Sequence, residues 1–96
     1  MDDPQTFQQL HAFVEGRVQG VGFRYFVIQQ AQTLGLRGWV RNTWDDKVEV
    51  TAEGNRADLD VLLQYLQSGP RSAVVLHVEV EWLPANNSFK TFSVVY

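Results

Sequence analysis

Residues 15–24, Glu15-Gly16-Arg17-Val18-Gln19-Gly20-Val21-Gly22-Phe23-Arg24, mark a change of hydrophobic period. Before them, Leu10, Ala12 and Val14 share one face of an extended segment while His11, Phe13, Glu15 and Arg17 share the other, the alternation of a strand. After them, Phe23, Phe26, Val27, Gln30, Ala31 and Leu34 recur at helical spacing, and Gly35 stands where a helix would stop. Between the two, Gly16, Gly20 and Gly22 place three glycines within seven residues, which breaks the strand and opens backbone angles closed to other residues. A strand therefore feeds through a glycine-rich loop directly into a helix over about 23–34.

The rest of the chain supplies what this unit packs against. A second strand over about 36–42 leads through Thr43-Trp44-Asp45-Asp46 to a third, where Val48, Val50 and Ala52 alternate with Glu49, Thr51 and Glu53, and the pair reads as a hairpin. Gly54 and Asn55 open a second helix, with Asn55 as its cap and Leu59, Leu62, Leu63 and Leu66 on one face. Ser68-Gly69-Pro70 ends it. Val74, Leu76, Val78, Val80 and Trp82 then alternate with Val75, His77, Glu79 and Glu81, and a short last strand lies over 91–95. This order predicts an α+β ferredoxin-like sandwich: two helices on one face of an antiparallel sheet of four to five strands, in the order βαββαβ. Residues 1–9 read as a polar lead and 10–96 as a single domain.

Composition narrows the function. With 96 residues, 45% hydrophobic and 20% charged, the chain can build one core and carries its site on the surface of one compact layer pair. The absence of cysteine removes disulfides, thiolate catalysis and cysteine zinc sites. A formal charge of -3 and a pI near 5.2 count against a broad nucleic-acid surface while leaving room for a local basic site. No apolar run suggests a signal peptide or a membrane span, so a cytoplasmic protein without a membrane or nucleic-acid partner is expected.

Conventional catalytic equipment is sparse. His11 and His77 are isolated on the outward parity of their strands and read as solvated. The pairs Asp2-Asp3 and Asp45-Asp46 are adjacent residues on a tail and a turn, so no metal or other cofactor is expected. What stands out is the loop. Amides at a helix start have no intrahelical acceptor, glycines let several of them converge on one anion, and the helix dipole favours negative charge there. Arg24, in the first helical turn, would add a planar fork of donors for two phosphate oxygens. The spacing matches neither the Walker pattern nor the dinucleotide fingerprint, and a glycine loop before a helix is equally readable as a tight turn. In the predicted topology the loop and the end of the second strand emerge at one sheet edge, about 10 Å apart. Asn42 sits there on the parity of Gly38 and Val40, facing the helices, although an Asn before a hairpin turn is also a common turn opener.

The segment Gly16 to Arg24 resembles the first signature of the acylphosphatase family, and Gly38-Trp39-Val40-Arg41-Asn42 is similar to the second. The resemblance extends over about 10–96. It implies a ferredoxin-like fold and a phosphate cradle from the backbone of Gln19, Gly20, Val21, Gly22 and Phe23. It also implies phosphate binding by Arg24, a water oriented by Asn42, and metal-independent hydrolysis of acyl phosphates to carboxylate and inorganic phosphate; a monomer is expected, although the sequence leaves the oligomeric state open. One position departs: the second signature continues to a glycine four residues after the Asn, and Asp46 stands there. Aspartate tolerates a left-handed turn less well than glycine and better than most residues. Two other readings stay open. One is a non-catalytic anion-binding or regulatory module of the same fold. The other is an RNA-recognition domain using Phe13, Trp39 and Trp44 as stacking platforms, against which net acidity counts.

Overall fold

The structure, a computed structural model, describes residues 6–96; the Asp2-Asp3 pair and most of the expected lead lie outside the described residues. The elements are β1 (Phe7–Arg17), α1 (Phe23–Thr33), β2 (Arg37–Asn42), β3 (Val48–Asn55), α2 (Arg56–Ser68), β4 (Val74–Pro84) and β5 (Phe92–Val94). One five-stranded sheet has the order β4-β1-β3-β2-β5. The strands β1, β2, β3 and β4 pair antiparallel, and β5 joins the free edge of β2 in parallel. The predicted ferredoxin-like arrangement is thus present, with a sheet that is mixed instead of wholly antiparallel.

Both helices cover one face. Phe23, Val27 and Ala31 of α1 and Leu59, Leu62 and Leu66 of α2 bury against Leu10, Ala12, Val14, Val40, Val48, Val50 and Ala52 of the sheet. Those sheet residues are the alternate positions of β1, β2 and β3, so the strand period and the helix period meet in one core. Among the described residues no helix is long and apolar enough to cross a membrane.

Boundaries differ where local signals compete. Strand β1 begins at Phe7, paired with Asn55, so residues 7–9 of the polar stretch are strand. Strand β3 runs through Gly54 directly into α2. Asn55 occupies the N-cap position, yet its side chain makes no capping bond, and its buried Oδ1 lacks a partner. The backbone of Asn55 is still extended and paired to Phe7, so its side chain belongs to the sheet more than to the helix start. Gly35 ends α1 as expected, with φ of 70° and the Leu36 N–H donating back to the Ala31 carbonyl at 2.9 Å.

The helix-free face is polar but not simply solvated. On the central strand β3, Glu53 is 1% exposed and accepts bonds from the Gln9 amide and from the backbone N–H groups of Asn86 and Asn87, anchoring the segment before β5. Glu49 is 7% exposed and accepts from His11 Nε2 at 2.7 Å and from Arg41 Nε at 2.6 Å. His11 is therefore half-buried and bonded, contrary to the solvated reading, whereas His77 is exposed. Burial pushes the Glu49 carboxyl upward, but the hydrogen bonds and charges of His11 and Arg41 outweigh it and hold the carboxyl below its ordinary range. The sign follows from linkage: the stabilisation is complete above the ordinary glutamate value of about 4.3 and is lost as pH falls through the lowered value. Glu49→Gln is expected to cost about 1–3 kcal/mol at pH 7 and to flatten the loss of stability below pH ~4.3, as read by urea unfolding at a series of pH values.

Candidate active site

The sheet order brings two chain ends to one edge. In register across the sheet, Val14 pairs with Val48 and Val48 with Asn42, so these three side chains share the helix-covered face. Beyond Val14, β1 gives way to the loop 18–22, and Asn42 is the last residue of β2. The loop after β1 and the end of β2 therefore flank one cleft of about 280 Å³, lined among others by Gly20, Gly22, Phe23, Arg24 and Asn42.

The loop exposes its main chain. Gly20 and Gly22 have φ of 73° and 78°, and a Cβ at either would meet open space, so the backbone angle is what requires glycine there. Gly22 is the N-cap of α1 and supplies no side-chain cap. Among the described residues, the backbone N–H groups from Gln19 to Arg24 find no protein acceptor; the first amide of this region to do so is that of Phe26, bonded to the Gly22 carbonyl at 3.0 Å. No acidic side chain lies in the first turn of α1 to compete for these donors. An anion would satisfy amides that the fold leaves bare.

Arg24 is half-buried on the cleft wall, with its Cζ 5.7 Å from the centre of the Tyr96 ring. Among the described residues no carboxylate pairs with it, so its fork of donors is free to engage a ligand. Asn42 lines the same cleft, and its Oδ1 is buried without a hydrogen-bond partner. A buried amide oxygen left unpaired is unfavourable unless a ligand or water completes it.

Of the residues expected to bind phosphate, Gly20, Gly22, Phe23 and Arg24 line the cleft, while Gln19 and Val21 do not. Val21 packs against the core. The Gln19 side chain turns away and donates from Nε2 to the carbonyls of Thr43 and Lys47, at 2.9 and 2.8 Å. These carbonyls belong to the β2–β3 turn, so Gln19 ties the amide loop to the strand end that carries Asn42. Within that turn the Lys47 N–H donates to the Thr43 hydroxyl, and Asp46 adopts φ of 71°, the left-handed angle that glycine takes freely. The turn is thus formed with aspartate in place of glycine. Gln19→Ala is expected to lower stability by about 1–3 kcal/mol and kcat by about tenfold through loss of this tether, a check made by pairing urea titration with steady-state kinetics.

The aromatic residues proposed as stacking platforms are otherwise engaged. Lys47 Nζ lies 5.8 Å from the Phe13 ring centre and Arg41 Cζ lies 5.9 Å from that of Trp39, which leaves Trp44, 96% exposed, as a single open ring. Among the described residues no three His, Asp or Glu side chains gather as a metal set.

The fold and site together define a ferredoxin-like domain whose cleft is lined by a glycine loop with acceptor-free amides, by Arg24 without a carboxylate partner and by Asn42. The acylphosphatase family profile matches residues 10–94. The acylphosphatase of Pseudomonas paraeruginosa is 55% identical over 75 residues, covering 78% of this chain and 82% of that one. Among solved structures, the acylphosphatase of Bacillus subtilis superposes with a TM-score of 0.89 at 38% identity, covering 93% of this chain and 99% of that one. The acylphosphatase of Coxiella burnetii does so with a TM-score of 0.87 at 34% identity, covering 99% of both. The chain belongs to the acylphosphatase family.

Proposed function

We propose that this protein is an acylphosphatase that hydrolyses acyl phosphates, with the main chain of 19–24 and the Arg24 guanidinium holding the phosphoryl group and Asn42 orienting the attacking water. The observation that carries this reading is a loop of acceptor-free amides whose Gly20, Gly22, Phe23 and Arg24 line the same cleft as Asn42, with Arg24 free of a carboxylate partner and the Asn42 Oδ1 unpaired.

Elementary chemistry fits this equipment. The leaving group is a carboxylate, which needs no strong general acid, so the absence of a histidine or thiol beside the cleft is no obstacle. The water oxygen forms a bond to phosphorus as the bond from phosphorus to the acyl oxygen breaks; the electron pair leaves with the carboxylate, and the water proton passes to a phosphoryl oxygen of the product. Charge spread over the phosphoryl oxygens in the transition state is met by fixed amide dipoles and by the guanidinium. The Asn42 Oδ1, as an acceptor, would hold one water hydrogen and aim the oxygen in line, converting an encounter into a positioned attack.

As part of the same proposal the protein acts without a metal, as a monomer in the cytoplasm, on a small-molecule substrate. The test is hydrolysis of benzoyl phosphate by the purified protein in the presence of EDTA. Rapid turnover is expected; its absence, with inorganic phosphate still bound, would leave a non-catalytic anion-binding module instead.

A further inference from the structure

The cleft that holds Arg24 and Asn42 has further lining residues of a different chemistry. They are Tyr25 and Ile28 of α1, Val94 of β5 and Tyr96, whose ring centre is 5.7 Å from the Arg24 Cζ. Among the described lining residues, Arg24 is the one side chain that carries charge. Ile28 stands four residues after Arg24, one turn further along the same helix face. Ile28 and Val94 are half-buried and packed on the core, so this part of the wall is fixed. Tyr25 and Tyr96 line the same cleft and are 67% and 97% exposed.

The parallel seating of β5 produces this wall. Val94 lies beside Val40, and the Val95 N–H donates to the Val40 carbonyl at 3.0 Å, so the chain after Val94 leaves the sheet at the same end as Asn42. An antiparallel β5 would run the other way and carry its C-terminal end away from the cleft.

We propose that this wall is an acyl subsite, and that the enzyme prefers acyl phosphates whose acyl group is uncharged and apolar, aromatic or branched aliphatic, over short or anionic ones. The inference rests on the acyl phosphate hydrolase reading of the site. A phosphoryl group held by the loop and Arg24 is much smaller than a cleft of about 280 Å³, and the remainder is bounded by two aliphatic side chains and two phenol rings. An aromatic acyl group would remove apolar surface from water on both partners. An acyl group with its own carboxylate would set a second anion against that wall with the one guanidinium already engaged, so its charge would be desolvated without a partner. Binding energy gained on the acyl group is remote from the reacting bond and can serve to position it.

Three substrates separate the effects: acetyl, benzoyl and 4-carboxybenzoyl phosphate, the last two alike except for the carboxylate. For the wild type, kcat/KM is expected to be about tenfold or more higher for benzoyl than for acetyl phosphate, with 4-carboxybenzoyl phosphate falling back toward acetyl. In Ile28→Ser and, separately, Tyr96→Ala, the benzoyl-to-acetyl ratio should shrink severalfold, while inhibition by inorganic phosphate reports whether the cradle is intact. Ile28→Lys should reverse the order of the two aromatic substrates. Because Tyr96 is almost fully exposed, its variant tests the idea even if the Ile28 variants fold poorly. Equal kcat/KM for acetyl and benzoyl phosphate, or ratios unchanged in the variants, would overturn the subsite and leave the hydrolase standing. Failure to hydrolyse any of the three would overturn the hydrolase reading itself.

Discussion

Arg24→Ala is expected to lower kcat/KM for an acyl phosphate by about 10³-fold or more and to weaken inhibition by inorganic phosphate in parallel. The size follows from what the side chain faces. Among the described residues its guanidinium has no carboxylate partner; it lies on the cleft wall against the Tyr96 ring, where the removal of one charge is not compensated by another. The amides of the loop would remain, but partial charges alone would then meet an anion that gains charge on its equatorial oxygens as the bond breaks. Arg24→Lys should recover only part of the loss, since a point charge cannot reproduce a two-oxygen fork. The melting temperature should stay within ~2 °C of wild type, because no ion pair of the fold is removed. Turnover by Arg24→Ala at the wild-type rate would take the residue out of the mechanism.

Asn42→Ala is expected to reduce kcat by about 10² to 10³ with KM changed little, the pattern of losing a group that acts on the attacking water and not on the bound phosphate. Stability provides an independent control. The Asn42 Oδ1 is buried without a partner, so its removal takes away an unfavourable group, and the variant should unfold at the same or a slightly higher urea concentration than wild type. A large fall in activity together with undiminished stability separates a functional asparagine from a structural turn opener. If instead stability falls and kcat holds, the turn-opening role is the correct one.

The repeating parts of this fold were legible because each signal was redundant. Leu10, Ala12 and Val14, or Leu59, Leu62 and Leu66, declare their period several times over, and the core is built from those positions. Gly20 and Gly22 marked the loop, whereas Gly16, read as part of it, stays within β1 at an irregularity in its pairing with β4; Arg24 and Asn42 could be placed at one edge because strand order follows from the helix-bearing connections. What failed were readings that rested on one residue or on a partner far away in sequence. Asn55 has the chemistry of a cap but is held in the sheet by its pairing to Phe7. A three-residue strand such as β5 has no period from which its direction could be inferred. His11 read as solvated because alternation tells which face a residue occupies, not that β1 and β2 crowd the central strand on that face and bring Glu49 to it. The side-chain tether of Gln19 spans 24 and 28 residues and left no local trace; a lone amide among glycines was its only hint.

The phosphate cradle proposed for 19–24 would be written in main chain, and this bears on how the protein can change over time. An amide survives the replacement of its side chain, so substitutions at Val21 would leave the donors in place, whereas at Gly20 and Gly22, with φ of 73° and 78°, most side chains would strain the backbone and turn the donors aside. The chemistry is therefore insulated from drift at most positions and fragile at a few. The same cleft is also lined by Ile28, Val94 and Tyr96. On the proposed division of roles, the shape and polarity of that lining could be rewritten one residue at a time without disturbing phosphate capture, which would let a single hydrolytic engine be retuned to new acyl groups while its working parts stay fixed.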